Sequence, residues 1–220
     1  MADPAAMQPI EQVLAAISVV SAVAYPFLSG TSWHRSGAKT CAVGALAVWA
    51  AWLGFPWVAI ALVLSAMGDL ALSRPGDKAF LIGMVSFGLA HLTYVALFAA
   101  HVTPQVLGAT NPRVLLMLAI LGLGSVLGRA YARNAGALAV PVRAYVVIIV
   151  VMGLMALLLP ASAGGSMATL GALLFIGSDA ILGQEQFLKK HWRGQGIAIW
   201  GLYYLAQAAL MIGLIWLQRA

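Results

Sequence analysis

Apolar residues run along this chain in blocks about the length of a membrane crossing, separated by short polar or Pro/Gly-rich breaks. The first block, 10–28, ends before the polar stretch 30–37, and no basic residue precedes it, so it reads as a mature span and not as a cleaved signal. Between 40 and 73 the only ionisable side chains are Cys41 and Asp69. That stretch is too long for one crossing and suits two, 40–54 and 56–73, folded at Gly54, Phe55 and Pro56. After the turn Arg74-Pro75-Gly76-Asp77-Lys78 comes 79–101, closed by Thr103-Pro104 and Asn111-Pro112. The remaining blocks are 113–129, 143–159, 167–183 and 197–217. The pattern predicts an all-α, polytopic membrane bundle of eight transmembrane helices, with 1–220 forming a single integral membrane domain.

Composition agrees. The chain is 63% apolar and holds only 12 basic and 6 acidic residues, far short of the quarter or so of charged residues that a soluble domain carries. A single cysteine, Cys41, excludes an internal disulfide and any multi-cysteine metal site. The net charge of +6 does not indicate nucleic acid, because the basic residues fall in short loops and form no stripe. Ten of the twelve, Arg35, Lys39, Arg74, Lys78, Arg129, Arg133, Arg143, Lys189, Lys190 and Arg193, lie on one side of an eight-span topology, leaving Arg113 and Arg219 opposite. That asymmetry places both termini outside, with a bacterial inner (plasma) membrane as the expected location. An internal echo is also present. Gly68-Asp69-Leu70-Ala71-Leu72 resembles Ser178-Asp179-Ala180-Ile181-Leu182, and Tyr94 and Tyr204 each lie 25 residues beyond their aspartate. Two parallel four-span repeats would produce it.

Asp69 and Asp179 are the acidic residues in the interior of the predicted spans, where a carboxylate costs from about 2.5 kcal/mol upward and marks a functional site by default. Their distances from the following loops put both at a similar depth near the cytoplasmic boundary, so the two carboxyls could face each other. His91 and Tyr94 share a face of the fourth span, although counting from its start puts His91 about 18 Å deep, below the aspartates. Tyr203, Tyr204 and Gln207 offer a polar face on the last span, with Tyr204 near the aspartates' depth. Arg74, Lys189 and Lys190 crowd the cytoplasmic loops above these helices, as topology anchors or as contacts for a phosphate headgroup. Ser178 has no histidine placed to activate it, which argues against a serine hydrolase. The four histidines are too dispersed for a three-histidine zinc site; a metal held by Asp69, Asp179 and His91 is the remaining metal alternative, and the expectation is no metal and no cofactor. Gly124 and Gly128 form a GxxxG pattern, which predicts a helix contact.

Three stretches, Gly68-Asp69-Leu70, Phe80-Leu81-Ile82-Gly83 leading to Phe87-Gly88-Leu89-Ala90-His91-Leu92-Thr93-Tyr94, and Gly171 through Phe175 to Ser178-Asp179-Ala180-Ile181-Leu182, together resemble the YhhN family of lysoplasmalogenases. Tyr203-Tyr204-Leu205-Ala206-Gln207 is similar to that family's last helix. The resemblance implies hydrolysis of the vinyl ether bond of a membrane lysophospholipid to a fatty aldehyde and a glycerophospho-alcohol. Vinyl ether cleavage begins with protonation at carbon and passes through an oxocarbenium ion, so it calls for one protonated acid and one anion. An aspartate pair meets that need in principle. The rival reading is a proton-coupled lipid or small-molecule transporter, in which membrane carboxylates relay protons and a repeat supplies alternating access. A non-enzymatic lipid-binding protein is the third.

Overall fold

Ser32 accepts a hydrogen bond from the backbone N–H of Arg35 and opens one helix, and Ser162 does the same from Gly165 for another, each satisfying a donor that the first turn leaves free. Proline at the first helical position opens three more, at Pro9, Pro56 and Pro112, where its missing N–H costs nothing. The structure, a computed structural model, describes residues 7–28, 30, 32–103 and 112–220. Among them are eight α-helices: α1 (Pro9–Ala24), α2 (Trp33–Trp52), α3 (Pro56–Leu72), α4 (Asp77–Ala99), α5 (Pro112–Asn134), α6 (Ala139–Leu157), α7 (Ala163–Leu188) and α8 (Gln195–Arg219). No strand occurs among the described residues. The break expected at Thr103-Pro104 and Asn111-Pro112 falls largely on 104–111, outside the described residues.

The bundle carries apolar side chains on its outer surface as well as in its core. Large apolar side chains such as Val20, Phe27, Leu115, Val126 and Val140 face outward, while Asp69, His91 and Gln207 are fully buried. Only lipid makes that arrangement favourable, since water would penalise the outer surface and leave the inner polar groups no better satisfied. Six helical segments are long and apolar enough to cross a membrane: α1 with the turn that follows it, α4, α5, α6 with the turn before it, α7 and α8. The chain is a multi-pass helical membrane protein. Apolar α3 has only 17 residues, and α2 carries Arg35 and Lys39 in its first two turns; neither belongs to the six, so the expected count of eight is not met by length and apolarity alone.

Several helices outrun their predicted spans. α2 starts at Trp33 instead of 40, α5 continues to Asn134 instead of 129, α6 starts at Ala139 instead of 143, and α7 continues to Leu188 instead of 183. The reason is the same in each case: an apolar run marks the hydrocarbon zone, while the helix continues through residues such as Glu185, Gln186, Arg129 and Arg133 that form helix well in the headgroup region.

Packing is closest between α7 and α8. A methyl group added at Gly213 would lie 2.4 Å from the backbone nitrogen of Ala168, and one at Gly171 would lie 2.8 Å from that of Leu210, so the two backbones meet through small residues. The GxxxG expectation holds in the same way, with Gly124 and Gly128 of α5 receiving Val150 and Val146 of α6. Gly54 takes φ of +85° in the tight turn between α2 and α3, a conformation that a side chain would strain. Across the bundle, α2 packs on α8 and α4 on α6, and these contacts bring α3 and α7 to opposite sides of one interior space.

Candidate active site

That space is a cavity of about 350 Å³. Its polar lining includes Arg35 and Lys39 of α2, Asp69 of α3, Tyr145 of α6, Asp179 of α7 and Tyr203 of α8. Its other wall is apolar, built from Ile120, Leu123 and Leu127 of α5, Val146 and Val150 of α6 and Ile176 of α7. A chamber with one charged end and one hydrocarbon wall suits a single-chain amphiphile.

Each aspartate has its own set of partners. Lys39 Nζ lies 2.9 Å from Oδ1 of Asp69, and the Tyr203 hydroxyl donates to Oδ2 at 2.6 Å. Asp69 is fully buried, and the ammonium beside it also lies 5.7 Å from the Tyr203 ring and 5.9 Å from that of Trp200. A lone carboxylate in that position would be prohibitively costly; a paired and hydrogen-bonded one is tolerable. On the far side, the Tyr145 hydroxyl donates to Oδ2 of Asp179. His91 Nε2 lies 3.0 Å from the same hydroxyl and 3.8 Å from that oxygen. Asp179 remains 16% exposed, and among the described residues no hydrogen bond reaches its Oδ1.

Phe87, Phe175 and Tyr203 pack edge to face between the two groups, with centroids 5.3–6.0 Å apart, and His91 meets Phe175 edge to face at 4.6 Å. The two carboxyls therefore line one cavity without a hydrogen bond between them. Aromatic packing intervenes, and each aspartate meets a donor from a different helix.

His91 comes within reach of one aspartate, Asp179, and makes no hydrogen bond or ion pair with Asp69 among the described residues. Asp179 lies nine residues before the end of α7, so the longer helix sets it about 13 Å below its end and within reach of His91. His91 itself does not line the cavity; it stands behind Tyr145, fully buried. Tyr94 donates to Gln207 Oε1 at 2.8 Å, and Tyr204 bonds Ser18 at 2.9 Å. Tyr94, Gln207 and Tyr204 lie outside the lining, so on α8 it is Tyr203, and not its neighbour Tyr204, that reaches an aspartate. Lys189 folds back onto the Gln186 carbonyl and Lys190 is exposed; neither lines the cavity. Arg74 lies in an adjoining smaller cavity. Ser178 donates to the Ile199 carbonyl, as a helix contact. Among the described residues no three His, Cys, Asp or Glu side chains come together to hold a metal, so Asp69, Asp179 and His91 do not converge as ligands.

Sequence reasoning passed over Lys39 and Tyr145. The Ser32 cap, read as the start of a helix, would have moved Lys39 from a loop into the second turn of α2. Nothing in the sequence distinguishes Tyr145 from a packing aromatic.

The model of the YhhN family matches residues 34–214 of this chain. Human (Homo sapiens) lysoplasmalogenase TMEM86B is 36% identical over 152 residues, which cover 69% of this chain and 60% of that relative. No solved structure matches.

Proposed function

The chain belongs to the YhhN family, and from that premise we propose that it is a lysoplasmalogenase-like hydrolase, cleaving the vinyl ether bond of a lysophospholipid with Asp69 and Asp179. The observation that carries the reading is the meeting of both membrane carboxyls at one cavity whose opposite wall is apolar. The likeness to the human lysoplasmalogenase supports the substrate class, over the 60% of that protein that the match spans.

In this reading the alkenyl chain lies against α5, α6 and α7. Asp179, whose Oδ1 is free of protein partners, is the acid. It delivers a proton to the carbon remote from the ether oxygen, and the positive charge moves to the adjacent carbon and that oxygen. Water adds to the oxocarbenium carbon and gives its proton to the Asp179 carboxylate, which restores the acid. The hemiacetal then breaks its bond to the glycerol oxygen, which takes up a proton as the hemiacetal hydroxyl gives one up, and aldehyde and glycerophospho-alcohol are released. Asp69, with the Lys39 ammonium beside Oδ1 and the Tyr203 hydroxyl on Oδ2, is the anion of the site, and its negative charge favours the oxocarbenium ion. Tyr145 and His91 orient Asp179, and Tyr203 and Lys39 orient Asp69. Purified protein in detergent releases a fatty aldehyde from a 1-alkenyl lysophospholipid and none from the 1-alkyl ether, which lacks the double bond to protonate. A transporter releases aldehyde from neither.

One observation favours the transporter as a second reading. Asp69 of α3 takes partners from α2 and α8, and Asp179 of α7 takes partners from α6 and α4. Advancing every helix by four exchanges the two sets, as two parallel four-helix repeats would. The same arrangement also serves an enzyme, because it delivers two differently furnished carboxyls to one chamber.

The topology belongs to the same proposal: eight crossings, both termini outside, and the basic loops at the cytoplasmic face of an inner membrane. In a Cys41→Ala background, Gln8→Cys should react with an impermeant thiol reagent in intact cells and Asp77→Cys only after permeabilisation. Reaction of both from the same side would overturn the eight-crossing topology.

A further inference from the structure

The smaller cavity, of about 280 Å³, adjoins the main one through shared lining residues Tyr25, Arg35, Lys39 and Leu72. Three cations meet it, Arg35, Lys39 and Arg74, and the single carboxylate ion-paired with any of them among the described residues is Asp69, on Lys39. Both guanidinium groups sit over aromatic rings, Arg35 with its Cζ 4.6 Å from the Tyr25 centroid and Arg74 with its Cζ 4.0 Å from that of Trp33. Each also keeps a buried Nε without a hydrogen-bond acceptor. Arg74 further donates to Ser36 Oγ. Arg35 Nη1 donates to the Gly30 carbonyl at 3.3 Å; with the ring contacts this positions each guanidinium and leaves further N–H groups for an anion, a fork that suits phosphate better than a lysine does.

From this juxtaposition we infer that Arg35 and Arg74 form the subsite for the phosphodiester of the lipid, in place of Lys189 and Lys190. The inference rests on the lysolipid reading of the main cavity and adds the residues that hold the headgroup. Arg35 and Lys39 stand four residues apart on α2 and so are neighbours along one face. A phosphate at Arg35 thus leaves the glycerol backbone to span roughly one helical turn, about 5.4 Å, and sets the ether bond at the level of the Lys39–Asp69 pair. Arg35 and Arg74 are partly buried at the cavity and carry no carboxylate partner among the described residues, and the substrate phosphate supplies an anion for them.

Binding tests this without turnover, so a failure of the hydrolase reading leaves the result interpretable. The probe is a 1-alkyl lysophospholipid, which has the phosphate but no vinyl bond, titrated into purified protein and followed by tryptophan fluorescence. Arg35→Gln and Arg74→Gln should each weaken its binding roughly tenfold or more, as the loss of a charge-assisted contact does. A 1-alkylglycerol, lacking phosphate, should bind wild type and variants alike. Should a Gln variant fail to fold, Arg35→Lys and Arg74→Lys keep the charge but lose the fork, and still weaken the phospholipid severalfold. Equal loss for both lipids, unchanged affinity of folded variants, or loss at Lys189→Gln and Lys190→Gln instead would overturn the assignment. Inorganic phosphate and a glycerophospho-alcohol are the remaining arms. Weak competition by the alcohol fits a lipid headgroup; tight binding of inorganic phosphate that leaves lipid affinity unchanged would show a free-anion site and overturn the lipid assignment.

Discussion

Asp179→Asn should reduce aldehyde release by about a thousandfold or more, with the protein still folded, because the amide keeps the volume and can still accept from Tyr145 but has no proton to give to carbon. Asp69→Asn should also remove nearly all activity, through loss of the negative charge that stabilises the oxocarbenium ion. If the two groups act on the same transition state, the double variant is little worse than either single one. The expected rate profile with pH is bell-shaped, since one group must hold its proton while the other has lost its own. Single-turnover aldehyde assays on the three variants, with thermal unfolding as the control, check the set. Substantial turnover in Asp179→Asn would remove it from the role of acid.

The second large effect is on stability. Lys39→Met leaves the fully buried Asp69 without its cation, a change that costs about 3–5 kcal/mol when one partner of a buried pair is removed. Lys39→Met combined with Asp69→Asn should recover most of that loss, because no charge is then left unpaired, yet remain inactive. Unfolding titrations in a denaturing detergent measure the three differences. If Lys39→Met unfolds at the wild-type midpoint, the pair is worth no more than a solvated surface contact.

How far the sequence reaches depends on whether a feature is a matter of residue type or of rotation. Apolar runs broken at Gly54-Phe55-Pro56 and Pro160 reveal where helices lie, since lipid forbids unpaired backbone and leaves little choice but helix. Their ends were misread because the apolar run stops at the edge of the hydrocarbon while α7 goes on to Leu188. Asp69 and Asp179 were legible because a carboxyl in an apolar run stands out by type alone. Their partners were not. Tyr203 and Tyr204 are adjacent and chemically identical, and which of them meets Asp69 is set by the rotation of α8, fixed in turn by the close approach of Gly171 and Gly213 between α7 and α8. Lys39 was counted as a loop charge because the polar first turn of α2 looks like a loop when apolarity is the criterion.

The central claim is hydrolysis by attack of water at the alkenyl carbon and not at the glycerol carbon, and oxygen labelling tests it most directly. Purified protein is supplied with a 1-alkenyl lysophospholipid in water enriched in oxygen-18, and both products are weighed by mass spectrometry. Attack of water on the oxocarbenium carbon leaves the glycerol oxygen where it was, so the account predicts a fatty aldehyde together with an unlabelled glycerophospho-alcohol. Label in the alcohol, or no aldehyde at all from folded protein, would contradict it.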